Sequence, residues 1–470
     1  MSLMKPLANR LGGQTTPAKS LVMPRYSEYK TSGVEWLGDV PGHWEVKRLK
    51  QVCHVFPSNV DKKSHDGETP VKLCNYTDVY YNDTITADME FMAATASTEQ
   101  IAKFTLRAGD TIITKDSETA DDIAIGAYVP ADLPGVICGY HLSMIRPKVG
   151  THGAFVKQLF DSTYVKSCVE VRANGLTRVG LGQYQIDNLE LPFPSVKEQQ
   201  TIAAFLDLET GKIDALIAEQ GRLVELLAEK RQAVISHAVT KGLNPNAPMK
   251  DSGIEWLGDV PTHWEVIALK RIADVQTGVA KGKDNSSRTT ITVPYLRVAN
   301  VQDGYLDLET VATIEIPAED LKRYALKPGD VLMNEGGDFD KLGRGHVWDG
   351  QIDPCITQNH VFAVRPREVS SVWLNAVTGS DFAQFYFMTR SKQSTNLASI
   401  SSTNLMELPV ILPSVDEQRA ILAFIADQTT SFDTLTAEAN RAIELLQERR
   451  SALISAAVTG KIDVRELAPA

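Results

Sequence analysis

No run of eighteen or more apolar residues occurs in this sequence, so no helix of it is built to span a bilayer. Its start lacks the charged stretch and apolar stretch of an exported chain, and export is not expected. Cysteine is scarce. The five residues, Cys53, Cys74, Cys138, Cys168 and Cys355, are odd in number and include no C-x-x-C pair. That excludes a disulfide framework and a structural zinc site, and the expected compartment is the reduced cytoplasm. Positive charge is also short, with 48 Lys and Arg against 59 Asp and Glu, a net charge of −11. A protein that gripped a polyanion by bulk electrostatics would carry the opposite sign.

Catalytic signatures are missing as well. There is no G-x-x-x-x-G-K-[ST] loop, hence no phosphate cradle of that type. Gly180-Leu181-Gly182 begins like a dinucleotide fingerprint but lacks its third glycine and the strand before it. No Asn or Asp is followed by Pro-Pro and an aromatic residue, as an amino-methyltransferase requires. Asp39, Glu45 and Lys47 have the composition of a nuclease metal site. The internal repeat described next argues against one: it keeps Asp259 and Glu265 but puts Ile267 in place of the lysine. The expectation is a chain with no catalytic residues, no metal and no cofactor of its own.

What the sequence does have is a duplication. Ser32-Gly33-Val34-Glu35-Trp36-Leu37-Gly38-Asp39-Val40-Pro41 returns 220 residues later as Ser252-Gly253-Ile254-Glu255-Trp256-Leu257-Gly258-Asp259-Val260-Pro261. His43-Trp44-Glu45-Val46 returns as His263-Trp264-Glu265-Val266, and Gly109-Asp110 as Gly329-Asp330. His141 then aligns with His360, and Arg146-Pro147 with Arg365-Pro366. Pro-Ser-Val-x-Glu-Gln stands at 194–199 and 413–418, and Val-Thr at 239–240 and 458–459. So long a period excludes a solenoid and means two copies of a whole unit. The 470 residues fit two to four domains, and 43% hydrophobic residues suffice for a core in each half.

Each copy has a β-rich middle and a helical tail. Runs such as Thr111–Thr114 and His360–Val364 lie between Gly, Pro, Asn and Asp clusters and predict short strands. In the tails, Ser195 and Ser414 are expected to cap long helices, with Glu198 and Glu417 at the third helical position. An apolar stripe follows at steps of three, four and seven: Ile202, Leu206, Ile213, Leu216, Leu223, Leu227 and Val234. The second tail repeats it with Ile421, Ile425, Phe432, Leu435, Leu446 and Leu453. Forty-five residues of helix would reach roughly 68 Å, and Gly211 and Gly221 are expected to weaken the first. A striped helix of that length needs a partner. Either the two helices pair antiparallel about a pseudo-twofold axis, or each packs on its own lobe. The first arrangement also puts the Trp36 segment at the end of the second helix, with the termini close together.

These motifs, repeated in order from about Tyr26 to Asp463, resemble type I restriction–modification specificity subunits. The resemblance implies an α+β fold of two similar β-rich α/β target-recognition lobes, each followed by a long helix, the helices packed as an antiparallel coiled coil with pseudo-twofold symmetry. The expected divisions are an N-terminal tail at 1–25, a first target-recognition domain at 26–195 and a first spacer helix at 196–242. A second domain at 243–414, a second spacer helix at 415–463 and a tail at 464–470 complete them. The implied function is sequence-specific binding of a bipartite, asymmetric site in double-stranded DNA. Adenine methylation and cleavage would be carried out by two modification (methyltransferase) subunits and by restriction (translocase/nuclease) subunits. S-adenosylmethionine, ATP and Mg would be bound on those partners, with no membrane involved. The middles differ between copies while the tails match, as two lobes reading unlike half-sites would, although drift after duplication also separates loops.

Neither lobe is basic: residues 43–195 carry 15 Lys and Arg against 19 Asp and Glu, and 263–414 carry 15 against 18. Specificity rests instead on a few polar side chains at base edges. In the first lobe the DNA-binding candidates are Lys62, Lys63, Asn75, Tyr76, Lys115, Ser117, Arg172, Thr177 and Arg178. In the second they are Lys281, Lys283, Arg297, Asn300, Asn334, Lys341, Gln358, Asn359, Ser401, Ser402 and Thr403. Arg146 and Arg365 are equivalent in the two copies, so they are expected to be structural or phosphate-facing. His43 and His263, beside tryptophans, are expected to pack or to hydrogen-bond. Two other readings stay open on the residues alone. A protein-binding scaffold suits the acidic charge, and an enzyme fused to a recognition module suffers from the missing motifs.

Overall fold

A computed structural model describes residues 23–175, 177–282, 288–339, 342–393 and 398–467. Its contacts divide the chain into two units, residues 1–219 with 442–470 and residues 220–441. Each unit therefore holds one β-rich lobe, part of the helix that follows that lobe, and part of the other long helix.

The first unit is built on a four-stranded antiparallel sheet in the order Cys53–Pro57, Leu142–Pro147, Thr111–Thr114, Gly126–Tyr128. A three-stranded sheet lies beside it, with Thr69–Cys74 central, parallel to Val136–Cys138 and antiparallel to Met92–Ala96. The central strand Thr111–Thr114 is buried along its whole length, which suits its run of β-branched residues. The second unit has the same strand orders. Its four-stranded sheet runs Ala273–Thr277, Val361–Pro366, Val331–Asn334, Gly345–Val347. Its three-stranded sheet has Thr290–Leu296 central, antiparallel to Ala312–Pro317 and parallel to Ile356–Thr357.

Each lobe is closed by its own ends. Glu45–Arg48 pairs with Glu190–Phe193, and Glu265–Ala268 with Pro409–Leu412, just before the long helices begin. The first long helix is Val196–Lys241 and the second Val415–Val458. The first is continuous through Gly211 and Gly221. Ser195 and Ser414 accept the N–H of Glu198 and Glu417, each at 3.3 Å, as a capping box predicts. The glutamates do not complete the box. Glu198 Oε1 accepts from Tyr26 Oη at 2.9 Å and Trp44 Nε1 at 3.1 Å, and Oε2 meets His43 Nε2 at 2.8 Å. Glu417 Oε2 meets His263 Nε2 at 2.9 Å.

The apolar stripe is buried at some positions and exposed at others. Ile202, Leu206, Ile213 and Leu227 are buried on the first helix, and Ile421 and Phe432 on the second. Leu216, Leu223 and Leu435 are exposed. Ile202, Leu206 and Ile421 belong to the lobe cores, whereas Leu216, Leu223 and Leu435 stay open beside the buried Ile213, Leu227 and Phe432.

The repeated tryptophan motif packs where each long helix stops. In the first unit, the Lys461 ammonium donates to the carbonyls of Leu37 at 3.1 Å and Asp39 at 2.6 Å. In the second, Lys241 donates to the carbonyls of Leu257, at 3.3 Å, and Asp259. The order of Lys and Gly is reversed between copies, Lys241-Gly242 against Gly460-Lys461, yet both lysines make the same pair of contacts. Both glycines are left-handed, with φ +77° and +71°, the conformation that ends a helix at least cost. A Cβ on Gly460 would stand 2.3 Å from Pro41, so no larger residue fits there. Trp44 and Trp264 are wholly buried in these junctions. As expected, the termini of the described chain meet, Asp463 N–H donating to the Pro24 carbonyl at 2.8 Å.

Candidate nucleic-acid interface

In the first lobe the strand Thr69–Cys74 delivers Asn75 to the start of a short helix, Tyr76–Tyr80. Asn75 is buried, and its N–H donates to Asp78 at 2.7 Å, which fixes the helix start. The helix displays aromatic rings. Tyr76 and Tyr80 stack with centroids 5.5 Å apart, and Tyr81 stands edge-on to Tyr80 at 4.9 Å. Tyr80 Oη donates to Asp122 at 2.9 Å. Burial pushes the Tyr76 phenol above its ordinary range, against a hydrogen bond with Ser117.

Beside these rings runs Lys115-Asp116-Ser117. It is held by the pairing of Asp116–Ser117 with Val179–Gly180. Lys115 Nζ donates to the Ser58 carbonyl at 3.0 Å and lies 4.6 Å from the centre of the Tyr140 ring. Burial lowers its pKa, against the carboxylate of Asp116. His141 Nδ1 meets Asp116 Oδ2 at 2.7 Å, and Arg178 stands 3.9 Å from the same carboxylate. His141 has φ +72°, a left-handed conformation that costs a non-glycine residue about 1–2 kcal/mol. Such strain is characteristic of functional loops. Gly139 allows the turn, since a Cβ there would stand 2.7 Å from the Cys74 carbonyl.

The first-lobe candidates divide accordingly. Tyr76, Lys115, Ser117 and Arg178 come together around Asp116 and Asp122, with Thr177 exposed next to Arg178. Lys62 and Lys63 are exposed on the loop whose Val60 carbonyl accepts the Tyr140 N–H at 2.7 Å. Ser117 is buried and positions its neighbours rather than facing outward. Arg172 is tied to the Cys168 carbonyl at 2.7 Å, a helix-end contact apart from the cluster.

In the second lobe Arg297 takes the place of Asn75, after strand Thr290–Leu296, and its side chain is exposed. Asn300 and Asn334 are not presented at the surface. Asn300 is buried, accepts the Arg297 N–H at 2.9 Å and donates to the carbonyls of Asp307 and Thr310 at 2.9 and 3.0 Å. Asn334 is buried and donates to the Val301 carbonyl at 2.8 Å. Both amides pin loops, a demand of buried carbonyls that polarity alone does not reveal. Gln358 and Asn359 are half-buried, Asn359 3.3 Å from His360, which faces Glu335 at 3.3 Å. Ser401 caps the helix Ser402–Met406 by accepting the Asn404 N–H at 3.2 Å; Ser402 is half-buried and Thr403 exposed. Lys281 is exposed. Lys283 and Lys341 lie outside the described residues.

Sequence reasoning passed over Tyr80, Tyr81, Asp116, Asp122, Tyr140, His141 and Glu335. The signal available was the Tyr-rich run 76–81 in a chain with only 7% aromatics. Among the described residues no group of three His, Cys, Asp or Glu side chains is placed to hold a metal ion. Lys47 pairs with Glu45 at 2.7 Å. No described helix is long and apolar enough to cross a membrane. All five cysteines are buried free thiols.

Comparison with known proteins agrees with this architecture. The family model of the type I restriction modification DNA specificity domain matches residues 41–220 and again 261–445. The type I restriction enzyme MjaVIII specificity subunit of Methanocaldococcus jannaschii is 26% identical over 288 residues, 60% of this chain and 64% of that protein. The putative MjaX specificity subunit of the same organism is 25% identical over 201 residues, 42% of this chain and 46% of that one. The chain thus matches less than two thirds of the length of these two relatives. One solved chain, from work on complex assembly and conformational transition of the type I R-M system, shares the fold. Its TM-score is 0.63 at 17% identity, over 89% of this chain and 98% of that chain. With the family model matched twice over most of its length, this chain belongs to the type I restriction–modification DNA specificity family.

Proposed function

We propose that this chain supplies the sequence specificity of a type I restriction–modification enzyme. Each lobe reads one half of a bipartite, asymmetric site in double-stranded DNA. Two methyltransferase subunits, carrying S-adenosylmethionine, methylate adenine at the sites so addressed, and restriction subunits use ATP and Mg to translocate and cleave. The chain itself is non-catalytic, and the complex works in the cytoplasm. The observation that carries this reading is the contrast within the duplication. The two lobes share strand order, helix starts and junctions, while the side chains on their loop edges differ.

The reading includes two long helices paired antiparallel about a pseudo-twofold axis. One ion pair in each unit supports it. Asp214 meets Arg450 at 2.8 Å, and Arg231 meets Asp433. From Asp214 to Arg231 is 17 residues forward on one helix; from Arg450 to Asp433 is 17 back on the other. The exposed mid-helix leucines, Leu216, Leu223, Leu226, Leu435 and Leu445, suit docking of the methyltransferase subunits.

Affinity for DNA then comes largely from partner subunits closing on the duplex, since the chain is acidic. That acidity also favours a scaffold that holds two proteins and touches no DNA. Co-expression with the methyltransferase subunits, followed by mapping of adenine methylation across the host genome, decides between them. A split motif with unlike halves is the expected result. An active, stable complex that adds no new methylation would overturn it.

A further inference from the structure

Lys115 and Glu335 occupy the same backbone position in their lobes. Lys115 N–H donates to the His141 carbonyl at 3.0 Å, and the Lys115 carbonyl accepts from Leu181 N–H at 2.8 Å. Glu335 N–H donates to the His360 carbonyl, and its carbonyl accepts from Ile400 N–H, both at 2.9 Å. Each residue follows the central strand of its four-stranded sheet, Thr111–Thr114 or Val331–Asn334. The frame is common and the side chains are opposite. An ammonium only donates hydrogen bonds; a carboxylate only accepts them.

Their surroundings are alike in one respect and unlike in another. Both lobes keep a histidine against a carboxylate, His141 with Asp116 and His360 with Glu335. The pair is common to both lobes, but its carboxylate comes from residue 116 in the first and from residue 335 in the second. In the first lobe Asp116 takes up the histidine at 2.7 Å, which leaves Lys115 free of it. In the second lobe the contact is looser, at 3.3 Å, and the Glu335 side chain keeps 26% of its exposure. Lys115 spends one of its donors on Ser58 and rests on Tyr140, at the edge where the first-lobe candidates gather.

We propose that residues 115 and 335 each read one base pair, with opposite hydrogen-bond polarity. The Lys115 ammonium selects the paired acceptors of guanine, N7 and O6, in the half-site of the first lobe. The Glu335 carboxylate selects an exocyclic amine, that of cytosine foremost, in the half-site of the second. This inference rests on the DNA-reading function proposed above.

The test uses the complex with its methyltransferase subunits and a duplex library bearing a randomised stretch. Wild type, Lys115→Glu and Glu335→Lys are each taken through selection. Lys115→Glu is expected to lose guanine at one position of one half-site and to leave the other half-site intact. Glu335→Lys is expected to gain guanine at one position of the other. Lys115→Met and Glu335→Gln keep the stem or the shape should the charge reversals fail to fold. They are expected to relax the preference at that single position by about 5- to 150-fold. An unchanged motif, with affinity either unaltered or lowered evenly over all sequences, would overturn the inference and leave the two side chains structural. A wild-type complex that selects no motif would instead bring down the DNA-reading function beneath it.

Discussion

Arg146 grips Asp110 with two nitrogens, Nε at 2.8 Å from one carboxylate oxygen and Nη2 at 2.6 Å from the other. Arg365 grips Asp330 in the same way at 2.7 and 2.6 Å. Asp110 and Asp330 are wholly buried, and each also accepts a backbone N–H, from Arg107 or Lys327, at 2.8 Å. The Arg146 and Arg365 side chains thus act as braces within their lobes rather than as phosphate contacts. Breaking such a pair leaves an uncompensated buried charge, so Arg146→Ala should cost about 3–5 kcal/mol. Urea unfolding of the purified protein measures it. A loss below about 1 kcal/mol would show that the ion pair does not hold the lobe.

The two helix junctions should differ in strength although their sequences match. Glu198 takes hydrogen bonds from Tyr26, His43 and Trp44 at once. Glu417 meets His263, while the buried Trp264 Nε1 has no hydrogen-bond partner among the described residues. Hydrogen bonds to charged groups contribute about 1.5–3 kcal/mol each, and orphaned buried donors add to the loss. Glu198→Ala should therefore destabilise by about 3 kcal/mol or more, and Glu417→Ala by less than half as much. Thermal unfolding of both variants under one buffer condition checks the order.

Acid should weaken the first unit through Asp83. Burial alone would raise its pKa, but Lys157 and Arg450 outweigh burial and hold it below the ordinary carboxylate range. A carboxyl lowered on folding stabilises the folded state above its unfolded pKa of about 3.9 and loses that contribution as pH falls through the lower folded value. Asp161, on the other side of Lys157, behaves oppositely: burial raises it despite the lysine, so it opposes folding while ionised. Asp83→Asn should be less stable than wild type at pH 7, and the gap should close as pH drops below about 4. Urea midpoints at a series of pH values give the answer, and a gap independent of pH would contradict it.

On the proposed reading of a bipartite site, spacer length should set the gap between half-sites. Seven residues inserted into the exposed middle of each long helix lengthen the helices by about 10 Å without touching either lobe. The methylated motif of such a variant should keep both half-sites and change only their separation. Altered half-sites with an unchanged gap would separate the helices from that role.

The large features of this fold were legible because they are periodic. The 220-residue repeat, the long helices and the Ser caps all follow from spacing. What escaped the sequence depended on which atom a polar group reaches. Asn300 and Asn334 look like base readers, yet buried loop carbonyls claim them. Glu198 looks like the second half of a capping box, yet three aromatic side chains from the start of the chain compete for it and win. The stripe shows which helix face is apolar, but periodicity does not say which of its residues are covered: Leu227 is buried and Leu223 exposed. The Asp116–His141 pair, 25 residues apart, depends on a left-handed turn that no local pattern announces.

The hydrogen bond from Asp463 to Pro24 joins the beginning of the described chain to its end. The second tryptophan motif reaches its junction along the continuous chain after Lys241; the first reaches an equivalent junction from a chain end some 420 residues away. Nothing in either junction depends on which of the two links is covalent. A gene re-opened in the loop after Gly242, with a short linker closing 463 onto 24, should therefore keep both junctions.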